Sequence, residues 1–299
     1  MSVLVTGGAG FIGTHLVAAL VGAGEEVVVL DNLRRGDRAR VPAGVHFVQG
    51  DVRDLPTLRE AMRGVRYVFH LAAQSNVIGA VTDSDYSFST NVVGTFNVLV
   101  AARDAGDIER MIFTSSREAY GEVDVLPVGE DRLLNPKNAY GASKVAGEVY
   151  CRTFQNTYGL DVSVLRLANV YGSGDRDRVI PIWLDRALRG KDLELYGGEQ
   201  VIDFVSVGQV VRALLRVAEM PLHGQPVNVG SGVGTSLREL SARVRALPGV
   251  AVGERVLPAR SVEVTRFVAD VTTMRRVLGL TPPDDPLEEL SALWDQMRT

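Results

Sequence analysis

Short unbroken apolar runs alternate with stretches of helical spacing through the first two thirds of the chain. Runs such as Val3-Leu4-Val5 and Tyr67-Val68-Phe69 predict strands at about 2–6, 26–31, 45–48, 66–71, 109–115 and 161–167. Continuous apolar runs suit strands covered on both faces, as in a parallel sheet. Between them, apolar residues at helical spacing predict helices at about 11–23, 55–63, 90–105 and 138–158. Right-handed crossovers turn that order into an α/β fold with a doubly wound parallel sheet. Beyond about residue 170 the regularity breaks, and Gly172, Gly174, Pro181, Gly190, Gly197 and Gly198 punctuate shorter elements. The expected division is a first domain over 1–170, with about 202–230 returning to it, and a smaller C-terminal lobe from 171–201 and 231–299.

The first strand runs straight into Gly7-Gly8-Ala9-Gly10-Phe11-Ile12-Gly13. Gly7 allows a tight turn, Gly10 lets backbone approach a pyrophosphate, and Gly13 lets the next helix pack on the strand. That helix presents unpaired N–H groups and a positive dipole end to the phosphates. The second strand ends at Asp31, eighteen residues beyond Gly13, where an acid accepts bonds from a ribose. Strand, glycine loop, helix and acid together predict a Rossmann domain that binds a dinucleotide. The Asp31 carboxylate would repel a 2′-phosphate, which favours NAD over NADP. Arg34 and Arg35 are in principle able to bind such a phosphate, but read better as solvated loop charges.

Composition excludes more than it identifies. The 299 residues are 46% hydrophobic and 23% charged, with a formal net charge of −4. Nothing there points to nucleic acid or an anionic membrane. No apolar run reaches the ~18 residues that span a bilayer. The N-terminus reads as a core strand rather than a signal peptide. A single cysteine, Cys151, forbids an internal disulfide, suits a cytoplasmic home and reads as a packing residue. His15, His46, His70 and His223 lack ligand spacing, so no metal site is expected.

Tyr140-Gly141-Ala142-Ser143-Lys144 places a tyrosine and a lysine on one helix face. A phenol with a reference pKa of about 10 is a poor base at neutral pH. A nearby ammonium and an oxidised nicotinamide would stabilise its phenolate. The plain alternative is a surface tyrosine beside a solvated lysine. The strand at 109–115, however, ends in Thr114-Ser115-Ser116, where α/β sheets hold their ligands. Ser116 is either a cap or a hydroxyl that shares a proton with Tyr140. With the glycine loop upstream, Ser116, Tyr140 and Lys144 read as hydride-transfer machinery.

The chain resembles the extended short-chain dehydrogenase/reductase family, in its nucleotide-sugar epimerase and dehydratase branch. The resemblance runs through Thr6 to Gly13, Asp31-Asn32-Leu33, Gly50-Asp51-Val52, His70 to Gln74 and Asn91 with Gly94-Thr95. It continues through Thr114-Ser115-Ser116 before Tyr120-Gly121, Pro136 before Tyr140 to Lys144, and Arg166 to Gly172. It ends with Val179-Ile180-Pro181, Asp203-Phe204 and Asn228-Val229-Gly230. It implies that NAD is held by Gly7, Gly10, Phe11, Ile12, Gly13, Asp31, Asn32, Leu71, Ala72, Ala73, Thr114, Tyr140 and Lys144, with Asp51 and Val52 at the adenine. It implies that Asn169 meets the diphosphate of a nucleotide sugar, near Ser116 and Glu118. Arg260 stands where the family often has a phosphate-binding arginine; the alternative is an exposed loop charge.

The same resemblance bears on the reaction. Sugar 4,6-dehydratases carry Asp-Glu just after the catalytic Ser or Thr, and the aspartate is the acid that eliminates water. Here the pair is Arg117-Glu118, and a guanidinium does no such work. Glu118 alone leaves decarboxylases and other dehydratases open, or is a structural hydrogen bond. The expected activity is therefore 4-epimerisation of a sugar such as UDP-glucose or UDP-galactose through a 4-keto intermediate. The alternatives are UDP-uronate decarboxylation, another dehydratase or reductase reaction, or a non-catalytic NAD-binding regulator. Three departures touch the sugar half. Ile202 replaces a phosphate-binding arginine, with Arg176, Arg178 or Arg186 as candidate substitutes. Gly208-Gln209 replaces an acid pair, and Ser261-Val262 replaces Pro-Gly after Arg260. The helices near 90–105 and 140–158 carry Phe96, Val100, Val145, Val149 and Phe154, which suit a homodimer contact or packing within the lobe.

Overall fold

A computed structural model describes residues 2–220, 222 and 224–298; His223 of the histidine reading lies outside them. The first half is β1 (Ser2–Thr6), α1 (Phe11–Gly22), β2 (Glu26–Asp31), β3 (His46–Gln49), α2 (Leu55–Ala61) and β4 (Tyr67–His70). Two short helices follow, α3 (Val77–Thr82) and α4 (Ser84–Phe88), then a π-turn at Ser89–Val93 that leads into α5 (Gly94–Ala105). Next come β5 (Arg110–Ser116), α6 (Ala139–Tyr158) and β6 (Val162–Leu167). The expected helix at 90–105 is thus a π-turn plus a shorter α-helix, and α3 and α4 are additions to the predicted set.

Six of these strands join a later one, β10 (Val227–Val229), in an all-parallel sheet ordered β10-β6-β5-β4-β1-β2-β3. The apolar runs occupy its centre: Val3, Leu4, Val5, Val68, Ile112, Phe113 and Leu165 are fully buried. Each such side chain stabilises the fold by ~1.5–3 kcal/mol relative to exposure. One face packs on α1 and on α8 (Val207–Glu219), and the other on α2, α5 and α6. The α8 face is legible in sequence, with Val210, Ala213, Leu214 and Val217 at helical spacing and all buried. Asn138 caps α6 by accepting from Gly141 N at 2.9 Å, and Gly159 ends it in the left-handed region at φ 70°. The helix lies close on β5, since a Cβ on Gly147 would stand 2.5 Å from the Phe113 ring.

After β6 the chain bends at Ala168, and β7 (Asn169–Tyr171) peels off to pair with β9 (Val201–Ser206). β9 also pairs with β11 (Gly234–Ser236) and β13 (Arg266–Phe267) in a second sheet. Residues 202–206, expected with the first domain, pair in the small sheet, while Val205 packs into the large core. β8 (Leu193–Tyr196) pairs with β12 (Glu254–Leu257). With α7 (Val179–Leu188), α9 (Leu237–Arg245) and α10 (Leu290–Arg298), these build a separate core around Trp183, Leu195, Leu240 and Trp294. Among the described residues, no helix is long and apolar enough to cross a membrane.

Candidate active site

A cleft of about 520 Å³ lies over the carboxyl ends of β1, β2, β4, β5 and β6 and reaches into the smaller half. Gly13 sets its first wall: a Cβ there would stand 2.2 Å from the Gly7 carbonyl oxygen. α1 therefore begins hard against β1, and its N-terminal N–H groups face the cleft. A Cβ on Gly10 would meet only the Gly7 oxygen, 3.2 Å away, and otherwise stand in the cleft. That open backbone fits a dinucleotide diphosphate. Asp31 ends β2 with Oδ2 accepting from Ala9 N at 3.0 Å and Oδ1 from Leu33 N at 2.8 Å. Burial pushes its pKa up, while those two bonds pull it down. A carboxylate has about four acceptor positions, so it retains capacity for ribose hydroxyls.

Of the residues predicted for the site, Gly7, Gly10, Phe11, Ile12, Gly13, Asp31, Asn32, Val52, Leu71, Ala72, Ala73, Thr114, Ser116, Glu118, Tyr140, Lys144, Asn169 and Arg260 line this one cleft. Asp51 does not. Arg53 forks onto its carboxylate at 2.9 and 2.8 Å, and Asn32 Nδ2 adds a bond at 2.9 Å. The Arg53 bond, helped by Asn32, holds Asp51 at about 2 despite partial burial. Arg34 is paired with Asp83 and lies 3.7 Å from the Tyr86 ring centroid, and Arg35 is paired with Asp177. Both charges are met by acids, and both side chains line the cleft.

Buried polar side chains fix the cleft wall. Thr95 Oγ1 donates to Asn91 O at 2.6 Å, so it accepts from His70 Nε2 at 2.9 Å. His70 Nδ1 is then the acceptor for Thr6 Oγ1 at 2.7 Å. Burial, with Lys144 nearby, pushes His70 down to about 3 and keeps it neutral. Asn91, inside the π-turn, accepts from Gln74 N at 2.7 Å and donates to Gln74 O and to Ser143 Oγ. The segment 71–74 is thereby tied to α6.

Ser116, Tyr140 and Lys144 converge at the end of β5. Ser116 Oγ accepts from Glu118 N at 3.2 Å, which leaves its proton for the cleft. It also favours the Tyr140 phenolate. Burial raises Tyr140, while Arg178, Ser116 and Arg117 pull it back and Glu118 opposes them. Lys144 Nζ donates to Thr114 O at 2.8 Å, and burial pushes its ammonium down to about 8.

Beside this trio stands a group that sequence reading did not assemble. Arg117 Nε donates to Asn169 Oδ1, and its Nη2 lies 2.8 Å from Glu118 Oε1. Glu118 Oε2 accepts from Asn138 Nδ2 at 2.7 Å. Each carboxylate oxygen thus carries one such contact. The candidate substitutes for an arginine at 202 separate clearly. Arg178 lines the cleft over Phe11, paired with Asp175 at 2.8 Å, and Arg176 lines it more openly. Arg186 does not line it and instead holds Asp192 O and the cleft-lining Glu194. Arg260 lies 3.8 Å from the Tyr196 ring centroid and pairs with Glu263 at 3.1 Å, on the cleft's far side. Among the described residues, no cluster of His, Cys, Asp and Glu is placed to hold a metal ion.

Comparison with known proteins gives a consistent result. The model of the NAD dependent epimerase/dehydratase family matches residues 3–230. The chain is 36% identical to a putative UDP-glucose 4-epimerase of Methanocaldococcus jannaschii, across 99% of this chain and 98% of that one. Among solved structures, it is similar to the UDP-glucose 4-epimerase of Thermotoga maritima with UDP-glucose, at a TM-score of 0.96 and 34% identity over 100% and 99% of the two chains. It is also similar to DesIV, a dTDP-glucose 4,6-dehydratase of Streptomyces venezuelae with NAD bound, at a TM-score of 0.95 and 32% identity over 100% and 97%.

Proposed function

The chain belongs to the NAD-dependent epimerase/dehydratase family, and on that premise we propose that it inverts C4 of a UDP-hexose, UDP-glucose or UDP-galactose, through a 4-keto sugar. Relatives of both reaction types share the fold, so the reaction is argued from the site. The observation that carries the reading is the acid inventory at the end of β5. Position 117 is a guanidinium, which has no proton to give at neutral pH, and Glu118 beside it is bonded to Arg117 and Asn138. The site supplies a base for a hydroxyl proton and no carboxyl at position 117 for elimination of water.

NAD, held by the glycine loop and Asp31, would supply a reversible two-electron acceptor for the sugar carbon. Tyr140 takes the proton of the sugar 4-hydroxyl, and Ser116 holds that hydroxyl and passes the proton. Lys144 holds positive charge 5.8 Å from the centre of the Tyr140 ring and would hold the nicotinamide ribose. The glycine loop and Asp31 hold the dinucleotide. Asn169 on β7 and Arg260 from the smaller half meet the nucleotide diphosphate.

The reading includes a cytoplasmic homodimer. Cys151 is free and buried. Phe96, Val149 and Tyr150 are exposed on α5 and α6, with Phe88 and Val93 beside them. Val100 and Phe154, by contrast, point into their own core. The exposed group offers a continuous apolar face to a second copy.

The test is NMR of the purified protein with UDP-glucose, UDP-galactose, UDP-glucuronate and UDP-xylose, with no added cofactor. A C4-inverted product from UDP-glucose or UDP-galactose is expected. Release of carbon dioxide from UDP-glucuronate, or no conversion by protein that retains NAD, would refute the reading.

A further inference from the structure

We propose that Arg117 is a positioning residue: it locks the Asn169 amide as a donor toward the substrate diphosphate, and so offsets the loss of a cation at position 202. The inference rests on the nucleotide-sugar reading above. A guanidinium carries donors only. Its Nε–H meets Asn169, so the oxygen is necessarily the amide end that it holds. Nδ2 is then the end left for the cleft. The opposite orientation would set donor against donor.

The guanidinium is itself anchored. Glu118 Oε1 holds Nη2 at 2.8 Å, with side-chain exposures of 13% and 5% for the pair. Glu118 Oε2 is held by Asn138, which also caps α6 through Gly141 N. The orientation of one substrate-side amide is thus set from the first turn of the helix that carries Tyr140 and Lys144. A positive charge bonded to the amide oxygen also polarises the amide and strengthens its N–H groups as donors.

Strand register gives the place. Asn169 on β7 pairs with Phe204 on β9, and Ile202 lies two residues back on the same face. Arg117, Asn169 and Ile202 line one cleft. A polarised donor pair backed by a cation therefore stands next to the position where the side chain offers only methyl and methylene groups.

The test is calorimetric titration of NAD-loaded protein with UDP, for wild type, R117M, R117K, N169A, N169D and the double variant R117M/N169A. R117M is expected to bind UDP roughly tenfold more weakly, the scale of one hydrogen bond to a charged group. The double variant should bind no worse than N169A, because Arg117 acts through Asn169. R117K still donates to Oδ1 and should recover part of the loss. N169D keeps the Arg117 bond but has no donor for phosphate, so it should bind more weakly than N169A. Wild-type affinity in R117M overturns the proposal, as do additive losses in the double variant. Equal binding by N169D and N169A overturns it even where R117M does not fold. Wild-type protein that binds no UDP removes the nucleotide-sugar reading, and the inference with it.

Discussion

Lys144 offers a prediction whose sign and size both follow from burial. Its ammonium is enclosed against Phe113 and Tyr140 with one bond, to Thr114 O. From an ordinary 10.5 it is pushed down to about 8. At about 1.4 kcal/mol for each tenfold change in proton affinity, that is ~3 kcal/mol of cost to the cofactor-free folded state at neutral pH. Between about pH 8 and 10.5 the unfolded chain holds a proton here that the folded chain has released. Stability from this group therefore rises with pH across that window and is flat on either side. Lys144→Met keeps the straight chain and removes the titration. Urea unfolding of NAD-free wild type and variant, followed by circular dichroism from pH 7 upward, isolates the effect, since other titrations cancel in the difference. Wild type should gain ~3 kcal/mol on the variant by pH 10.5. Parallel curves would show that the ammonium is solvated and that the packing argument for this corner of the site is wrong.

Tyr140→Phe should abolish turnover while leaving the NAD content of the purified protein unchanged; retained turnover would remove the phenol from the mechanism. Asp31→Ala should weaken NAD binding about tenfold or more, the scale of a charged hydrogen bond, and relax discrimination against NADP in fluorescence titrations. Arg166→Leu strips the buried Glu148 carboxylate of three guanidinium contacts at 2.8–3.2 Å, and should cost about 3–5 kcal/mol in urea unfolding. Glu148→Gln added to it should recover part of that loss. Paired charges at the exposed apolar face, Phe96→Glu with Val149→Glu, should yield monomers by sedimentation velocity; an unchanged mass would place the dimer contact elsewhere.

What the sequence made legible follows from what its signals encode. Strands buried on both faces are continuous apolar runs, so β1, β2, β4, β5 and β6 fall within a residue or two of expectation. The helices α3 and α4 did not register, because five or six residues are too few for a period to show. Their caps were present as residues: Asn76 accepts from Gly79 N and Asp83 from Tyr86 N. The site was legible wherever backbone carries the function, as in the glycine loop and the end of β5. It was not where side-chain direction decides. Asp51 sits at the right place in the chain, but an arginine two residues on captures it. Arg186 is near the cleft in sequence yet leaves α7 toward Asp192. The Arg117–Asn169 bond joins residues 52 positions apart, and no local pattern announces it.

The charge state of the site follows from two opposed effects of the same enclosure. Burial disfavours phenolate at Tyr140 and disfavours ammonium at Lys144. Lysine keeps its charge at neutral pH but gives it up above about pH 8, because the enclosure that would amplify the charge also disfavours it. Arginines do not have that weakness, since their charge survives burial. Arg178 and Arg117 both favour the Tyr140 phenolate, and they approach it from different elements, the loop before α7 and the turn after β5. Arg117 is partly neutralised by Glu118, as Arg178 is by Asp175. Their pull does not overcome burial, and the Tyr140 phenol stays above its ordinary value. A ligand that brings a positive ring next to the phenol adds to that pull, and an uncharged one does not. The protein's own groups thus favour proton removal when an oxidised nicotinamide is in place, and restrain it otherwise.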